Sequence, residues 1–591
     1  MRLPVFDPDG PIGSVRVQQY QVLRFLMPRK VFPFLVLFAC LGGFVRAADT
    51  DPKPNPRVAC TYECAGLYWR TSEAGVCRIR YTEEGKTSWR DGMDLVYDSR
   101  DGEYRGSLVG LKPATRYRAE LVAGAVKAEI TFTTRSDVFP VGRRTLLPAG
   151  ESTQTVVITE SGRPDAYHWV TVPEGGRSTI DLRNSRNEGI VIDADYVVVD
   201  GVEIRNAAQN AILIKGKRHD VVVQNTHLTF WGRIGGPKSF GNFEGNLDAG
   251  VYAESGTARL TIQRNLIENP RGASNDWETG HPTGPEGITI MQSQGGNVLR
   301  YNDILSTEDH GFNDGIGGAT NFSAVGNINC DSDIYGNHIR SVWDDAIECE
   351  GANANVRIWG NYLERYHVGI ATACTHLGPI YMYRNVFGVS RRSHLDALGS
   401  LMFKTGNNRG FGGGRRLIFH NTSVQPSGVF SAIGRDANCV TRNNVFDVPG
   451  ALAPVSEQDG KSDFDHDYFS GILAPPGVEP HRINKQQRNH RGRLFERSQR
   501  LEFYPAPWVS EVEGGKFIEE FGDRKLMVTD PLRQVRNPLI DSGVRLPGFN
   551  DDFAGAAPDV GAFEVGRPPL EFGRRAYLGR DEGRAPWERY Q

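Results

Sequence analysis

The chain has 591 residues, with 68 Lys plus Arg against 71 Asp plus Glu and a formal net charge of −3. That balance gives no electrostatic case for nucleic acid as a partner. At roughly 100–200 residues per domain the length implies several domains or one long repeat, and 68 glycines beside 39% hydrophobic residues suit an all-β chain rich in tight turns.

The N-terminus reads as an export signal. "MPRK" at 27–30 supplies the positive region, "VFPFLVLFACLGGF" at 31–44 the apolar one, and "VRAAD" the small residues for cleavage after Ala47. The signal segment is therefore 1–47, with Met27 as an alternative start. The apolar run is short of the roughly 20 residues a membrane span needs, and no transmembrane helix is expected in the mature chain. "LFAC", ending at Cys40, is similar to a bacterial lipobox with an atypical Phe38, and lipid anchoring there is the alternative to free release. The expected location is secreted, periplasmic or cell-surface. Seven cysteines remain after the signal. Export permits disulfides, but spacing does not decide their pairing. Cys330, Cys349, Cys374 and Cys439 are expected as buried thiols.

Residues 55–136 carry short runs with period-two apolar alternation, among them "GLYWRT", "VCRIRYT", "TRYRAELVAG" and "AEITFTT", separated by Gly and Asp turns. This predicts a small β-sandwich. Leu111, Pro113, Thr115 and Tyr117 in "LVGLKPATRYRAEL" match a corner at which a buried tyrosine hydroxyl ties a loop to the next strand, and Trp69 supplies a core aromatic. The segment resembles a fibronectin type III domain, which implies a spacer or adhesion module.

From residue 137 to 450 the pattern is a repeat. Asn225, Asn265, Asn302, Asn337, Asn361, Asn385, Asn421 and Asn444 recur at spacings of 40, 37, 35, 24, 24, 36 and 23, each between two short strands. A base period in the twenties without helical patterning predicts a β-solenoid. Asparagine suits a sharp corner because it tolerates left-handed backbone, and stacked coils bring its amide within reach of the next. The expected architecture is a right-handed parallel β-helix with three strands per coil. The region resembles the pectate-lyase-like β-helix superfamily. Residues 451–566 are expected to continue and cap the helix, with "DSGVRLPGFNDDFAGAAPDVGAFEVG" packing over the last coils, and 567–591 to form a tail.

Aligning coils on the corner asparagine places Val251, Ile288, Ile347 and Phe430 inward, followed by Ala253, Ile290, Cys349 and Ala432. Alternation then sends Tyr252, Thr289, Glu348 and Ser431 outward, with Glu254, Met291, Glu350 and Ile433 beyond them. Ile370 and Phe403 are expected inward, and Met402 and Lys404 outward. Lys404 and Glu350 should lie roughly 10 Å apart, two coil spacings. Long loops at 230–248, 270–285, 305–322 and 386–400 are rich in His, Asp, Trp and Arg and suit the walls of a carbohydrate groove.

Acid–base cleavage of a polysaccharide needs either a base with a charge neutraliser, or two carboxylates flanking the scissile bond. Asp344, Asp345, Glu348, Glu350, Lys404 and His310 are the catalytic candidates. Arg384, Tyr252 and Asp314 are candidates for substrate binding, with Arg391, Arg392, His376 and His394 also available. Glu348 and Glu350 are candidate calcium ligands, since hard cations take carboxylate oxygens. Trp343 and Trp359 suit packing or sugar platforms equally. Some β-helix lyases hold calcium on an E-x-E strand with a lysine just downstream; "GANANVR" after Glu350 has no lysine. The polygalacturonase pattern of spaced Asp motifs is matched only by "DD" at 344–345 and "HG" at 310–311. The expected activity is cleavage of an acidic polysaccharide or cell-surface glycan by a monomeric lyase or glycosidase. The alternative is a β-helix that binds glycan without cutting it.

Overall fold

In the computed structural model the described residues are 55–71, 74–234, 238–239, 243–244, 247–318, 324–391, 400–406, 412–423, 428–430, 438–446, 462–469, 502–503, 526–527, 539–568 and 570–578. The signal segment, Ser431, Ala432, Ile433, Arg392, His394 and most of 451–538 lie outside them.

Residues 57–133 form two four-stranded antiparallel sheets. Trp69, Tyr104, Tyr117 and Leu121 fill the space between them. The Tyr117 hydroxyl accepts a hydrogen bond from the Lys112 backbone N–H at 2.9 Å, tying the loop back onto its strand as the spacing of those residues predicts.

The rest of the chain winds into coils of three short strands, stacked in parallel register into sheets of 12, 12 and 10 strands. Each face of the resulting prism is one sheet. One carries strands such as Val356–Trp359 and meets the sandwich. The second carries Tyr362–Glu364. The third, the acid-bearing sheet, carries Asp345–Glu348. The interior column of the acid-bearing sheet runs in register from Ile212 through Val251, Ile288, Ile316, Ile347, Ile370 and Phe403 to Phe430. The alignment of Val251, Ile288, Ile347, Ile370, Phe403 and Phe430 therefore holds. It skipped one coil, because the strand Ile316–Gly317 lies inside the stretch taken as a loop at 305–322. Met402 is a second correction: it is fully buried in the core rather than facing out.

A file of asparagine amides marks the corner between the first two sheets. Asn265, Asn302, Asn337, Asn361, Asn385, Asn421 and Asn444 are fully buried. The Nδ2 of each donates to the Oδ1 of the next at 2.9–3.0 Å, up to Asn444, which donates to Asp467 at 2.8 Å. Two expectations are revised here. The left-handed residue is the one before each ladder position, for example Arg264, Tyr301, Arg384 and His420. The ladder asparagine itself is chosen for its inward amide. Asn225 is accordingly the left-handed residue, and Thr226 takes the ladder slot by donating to Asn265 at 2.8 Å.

The sandwich is no free spacer. It docks on the first sheet, whose strands read "VVVD" and "VVVQ" because both faces are covered. Tyr62 meets Thr261 at 2.5 Å, Tyr68 donates to Asp331 at 2.8 Å, and Tyr335 donates to Glu63 at 3.0 Å. Arg300 and Arg357, fully buried at this junction, bond to Asp137 and Asp333 respectively. The segment 539–578 is a strap along the edge of the first two sheets rather than a cap on the last coils alone. It sets Phe549 against Tyr381, Tyr383 and Phe419, Phe572 against Tyr362, and Arg574 on Asp303 at 3.3 Å. Part of the expected tail at 567–591 is thus ordered structure. All seven described cysteines are free thiols; Cys349, Cys374 and Cys439 are buried as expected, whereas Cys330 is half-exposed. Among the described residues no helix is long and apolar enough to cross a membrane.

The ladder makes a direct prediction. Asn361→Ala removes the acceptor of the Asn337 N–H and Nδ2 bonds, both in a dry interior. Stability should fall by roughly 2–4 kcal/mol, read as a lowered midpoint in chemical denaturation.

Candidate active site

The long connections after Thr229, Glu268, Leu305 and Phe387 each lead from the second sheet to the acid-bearing sheet, so they enter it along the same edge. At this edge the chain buries six carboxylates: Glu286, Asp314, Asp344, Asp345, Glu348 and Glu350, each no more than 5% exposed. Oxygens of Asp314, Asp344 and Asp345 lie within 4.8 Å of one another, as do those of Asp345, Glu348 and Glu350. The Lys404 ammonium sits between Asp345 Oδ2 and Glu350 Oε1, 3.0 Å from each.

The backbone explains the convergence. Lys404 is in register with Ala371, which is in register with Glu348. The intervening coil is small-chained at this position, so the long lysine side chain reaches back over it. The expected separation of about 10 Å between Lys404 and Glu350 measured coil spacing, not the reach of two long side chains; their charged ends are in contact. Backbone donors orient the acids. Gly318 N–H donates to Glu348 at 2.8 Å, and Asp345 N–H to Asp314 Oδ1 at 2.9 Å. Thr289 Oγ1 donates to Glu286 at 2.7 Å.

The electrostatics follow from burial. Burial, then the neighbouring acids Glu348, Glu286, Asp344 and Asp345, raise Asp314 well above the carboxylate range. Burial and Asp345 do the same to Asp344, and burial, Glu350 and Asp345 to Glu348. Burial lifts Glu286 to about 8. It lifts Glu350 to about 7, with Lys404 pulling the other way. For Lys404 burial favours the neutral amine, but Asp345, Glu350, Asp344 and Glu348 outweigh it and hold the ammonium well above the ordinary lysine value. One lysine does not neutralise six acids in a low dielectric. Asp345 Oδ1 and Glu286 Oε1 are buried without a hydrogen-bond donor among the described residues. An all-oxygen set with such unmet acceptors is the donor chemistry of a hard divalent cation.

Several sequence candidates fall elsewhere. Asp314, expected to bind substrate, is a member of the acid cluster. Tyr252 lies on the same face, one coil from Glu286 but three coils from Glu348, about 14 Å at the usual spacing. Glu254 is paired with Lys215 at 2.7 Å, apart from the cluster. His310 packs edge-on against Phe230 rather than among the acids. Arg384 is the left-handed corner residue between the first two sheets and pairs with Asp552 of the strap, so it does not serve this face. The His376 carbonyl accepts from Arg100 of the sandwich. Trp359 is stacked between Tyr335 and Tyr383 on the first sheet, and Trp343 is fully buried with Arg391 over its ring at 3.6 Å. Both tryptophans are packing. The alignment missed Glu286, which opens the strand before Ile288, and the flank of Trp277, His281 and His367. The composition of the 270–285 loop was the available signal for the flank.

Residues 188–387 match the family described as the right handed beta helix region. The chain is similar in structure to pectate lyase Pel9A, at 15% identity and a TM-score of 0.39 over 73% of this chain and 91% of that one. It is also similar to a family 28 exopolygalacturonase from Yersinia enterocolitica (12% identity, TM-score 0.24, 71% and 92% covered). A third likeness is to the catalytic domain of a GH87 alpha-1,3-glucanase (9% identity, TM-score 0.23, 72% and 92% covered). No curated protein sequence matches the chain.

The buried acids set a pH dependence. Folding raises the proton affinity of Glu286, Asp314, Asp344, Glu348 and Glu350, so the folded chain binds more protons than the unfolded one between the ordinary carboxylate range and about 7 to 8. Stability should therefore fall as pH rises through that window. Thermal melts in a chelator should show the midpoint dropping by several degrees from pH 5 to pH 8, and Glu350→Gln should flatten the fall.

Proposed function

We propose that this chain is an exported polysaccharide lyase that cleaves an acidic glycan by β-elimination, with Lys404 as the base. The observation that carries this is one lysine amine held in contact with a buried carboxylate cluster. Within either triad the oxygens are closer than the roughly 6.5–9.5 Å that an inverting glycosidase keeps between its carboxyls for a water. The same crowding suits a shared cation. Asp314, Asp344, Asp345, Glu348 and Glu350 would hold calcium, which when bound supplies positive charge to neutralise the uronate carboxylate. With Asp345 and Glu350 engaged as calcium ligands, Lys404 would lose its two ion pairs, and its pKa would fall toward the range where an amine accepts a proton. Lys404 Nζ then takes the proton from the carbon beside the uronate carboxylate. The electron pair left behind forms the double bond, the glycosidic oxygen departs from the adjacent carbon, and that oxygen takes up a proton.

The remaining assignments belong to this proposal. Residues 1–47 direct export to the periplasm, the cell surface or the medium, and the sandwich is a fibronectin type III-like module recruited as a fixed side wall. The protein acts as a monomer on polysaccharide.

The test is a panel of uronate polymers with calcium, followed by ultraviolet absorbance of unsaturated ends. Lys404→Ala should lower kcat by roughly 10²–10⁴-fold, and chelation should abolish turnover. At pH 8 calcium should raise the melting midpoint of the native chain and do so far less for Glu350→Gln. Reducing ends without the absorbance would mean hydrolysis. Polymer bound with neither signal would mean a binding protein.

A further inference from the structure

The loop at 270–285 is built to present one side chain. Asn275 Nδ2 donates to the carbonyls of Asp276, Gly280 and His281, and Asn275 Oδ1 accepts from Thr283 N–H at 3.1 Å. Thr279 donates to Asp276 Oδ1 at 2.9 Å, and Ser274 N–H to the Gly311 carbonyl at 2.9 Å. Within this pinned loop Trp277 is half-buried. Its ring lies 4.7 Å from His281 and 5.0 Å from His367, centroid to centroid. His367 belongs to the coil after Asp344, to which it is joined by a backbone hydrogen bond of 3.2 Å. His281 Nε2 is 3.7 Å from Asp344 Oδ2. The aromatic group therefore stands at the margin of the acid cluster and spans two coils.

No other described tryptophan is placed this way. Trp69, Trp231 and Trp343 are fully buried. Trp359 is stacked between two tyrosines, Trp169 donates to the Phe139 carbonyl, and Trp89 lies under Arg80 and Arg118. A half-exposed indole on a rigid loop beside polar, hydrogen-bonding groups is the composition of a ligand site. Its electron-rich face suits the polarised C–H groups of a pyranose ring.

We propose that Trp277, flanked by His281 and His367, is a sugar-stacking subsite for the pyranose next to the one that Lys404 deprotonates. The position of that neighbour rests on the lyase reading; the stacking role does not. Trp277 fixes where the chain lies along the face, while Lys404 does the chemistry.

The test uses short oligogalacturonates, oligoguluronates and oligoglucuronates in calcium, titrated calorimetrically into Lys404→Ala protein with and without Trp277→Ala. The oligomer that binds best should lose about tenfold or more in affinity on Trp277→Ala, and Trp277→Phe should recover most of it. In otherwise native protein Trp277→Ala should raise KM by a similar factor and leave kcat within about twofold, with an unchanged melting midpoint. Cleavage with an unaltered KM and affinity in Trp277→Ala would overturn the subsite and leave the lyase reading standing. Trp277-dependent binding without cleavage would uphold the subsite and overturn the lyase. Binding of no oligomer would overturn both.

Discussion

Everything in this structure depends on the coils staying in register, and a buried hydrogen bond keeps them there. An asparagine amide at one corner is locked on both sides: its nitrogen reaches the oxygen of the next coil and a carbonyl of the one before. In a dry interior an amide without partners is expensive, so each coil can close only where the file continues. Parallel pairing then carries that register round the other two sheets. A slip of one residue would exchange the inner and outer faces, turning Glu348 into the coil interior and Ile347 out of it. The acid cluster is thus a consequence of the ladder two sheets away.

The cluster itself runs against stability. Six carboxylates share one lysine where water is scarce, and the raised proton affinities of Asp314, Asp344 and Glu348 are the measure of that conflict. Such a concentration of buried like charge persists when it has a use. The rest of the molecule supplies the rigidity that holds it. The sandwich closes the first sheet through Tyr62, Arg300 and Arg357, and the strap closes the edge through Phe549, Phe572 and Arg574. The third sheet is where the long loops gather, and there Lys404 and Trp277 meet the acids from opposite directions in the sequence.

The fold was legible because it rests on period. Strands of three to five residues with a buried column every coil leave a pattern that survives loop insertions, as the run from Val251 to Phe430 shows. The failures have physical causes. The Ile316 coil was hidden because its strand is two residues long and set among glycines. Asn225 was misplaced because left-handed corner and inward amide are neighbouring positions that both favour asparagine. Docking of the sandwich left its trace in the unbroken valine runs of the first sheet, a signal that alternation on the third sheet does not share.

From its sequence alone this protein is a sandwich followed by a parallel β-helix that exports Glu348 and Lys404 to one face, since alternation along a strand needs only local order. Which acids share a site was decided by tertiary structure. Asp314 and Asp345 lie 31 residues apart, and Lys404 is 59 residues beyond Asp345. Only coil stacking, with small alanines between, brings those side chains into contact. Trp277 shows the same limit: its loop was visible in composition, but its place beside Asp344 depends on how far that loop reaches across coils, which no period in the sequence encodes.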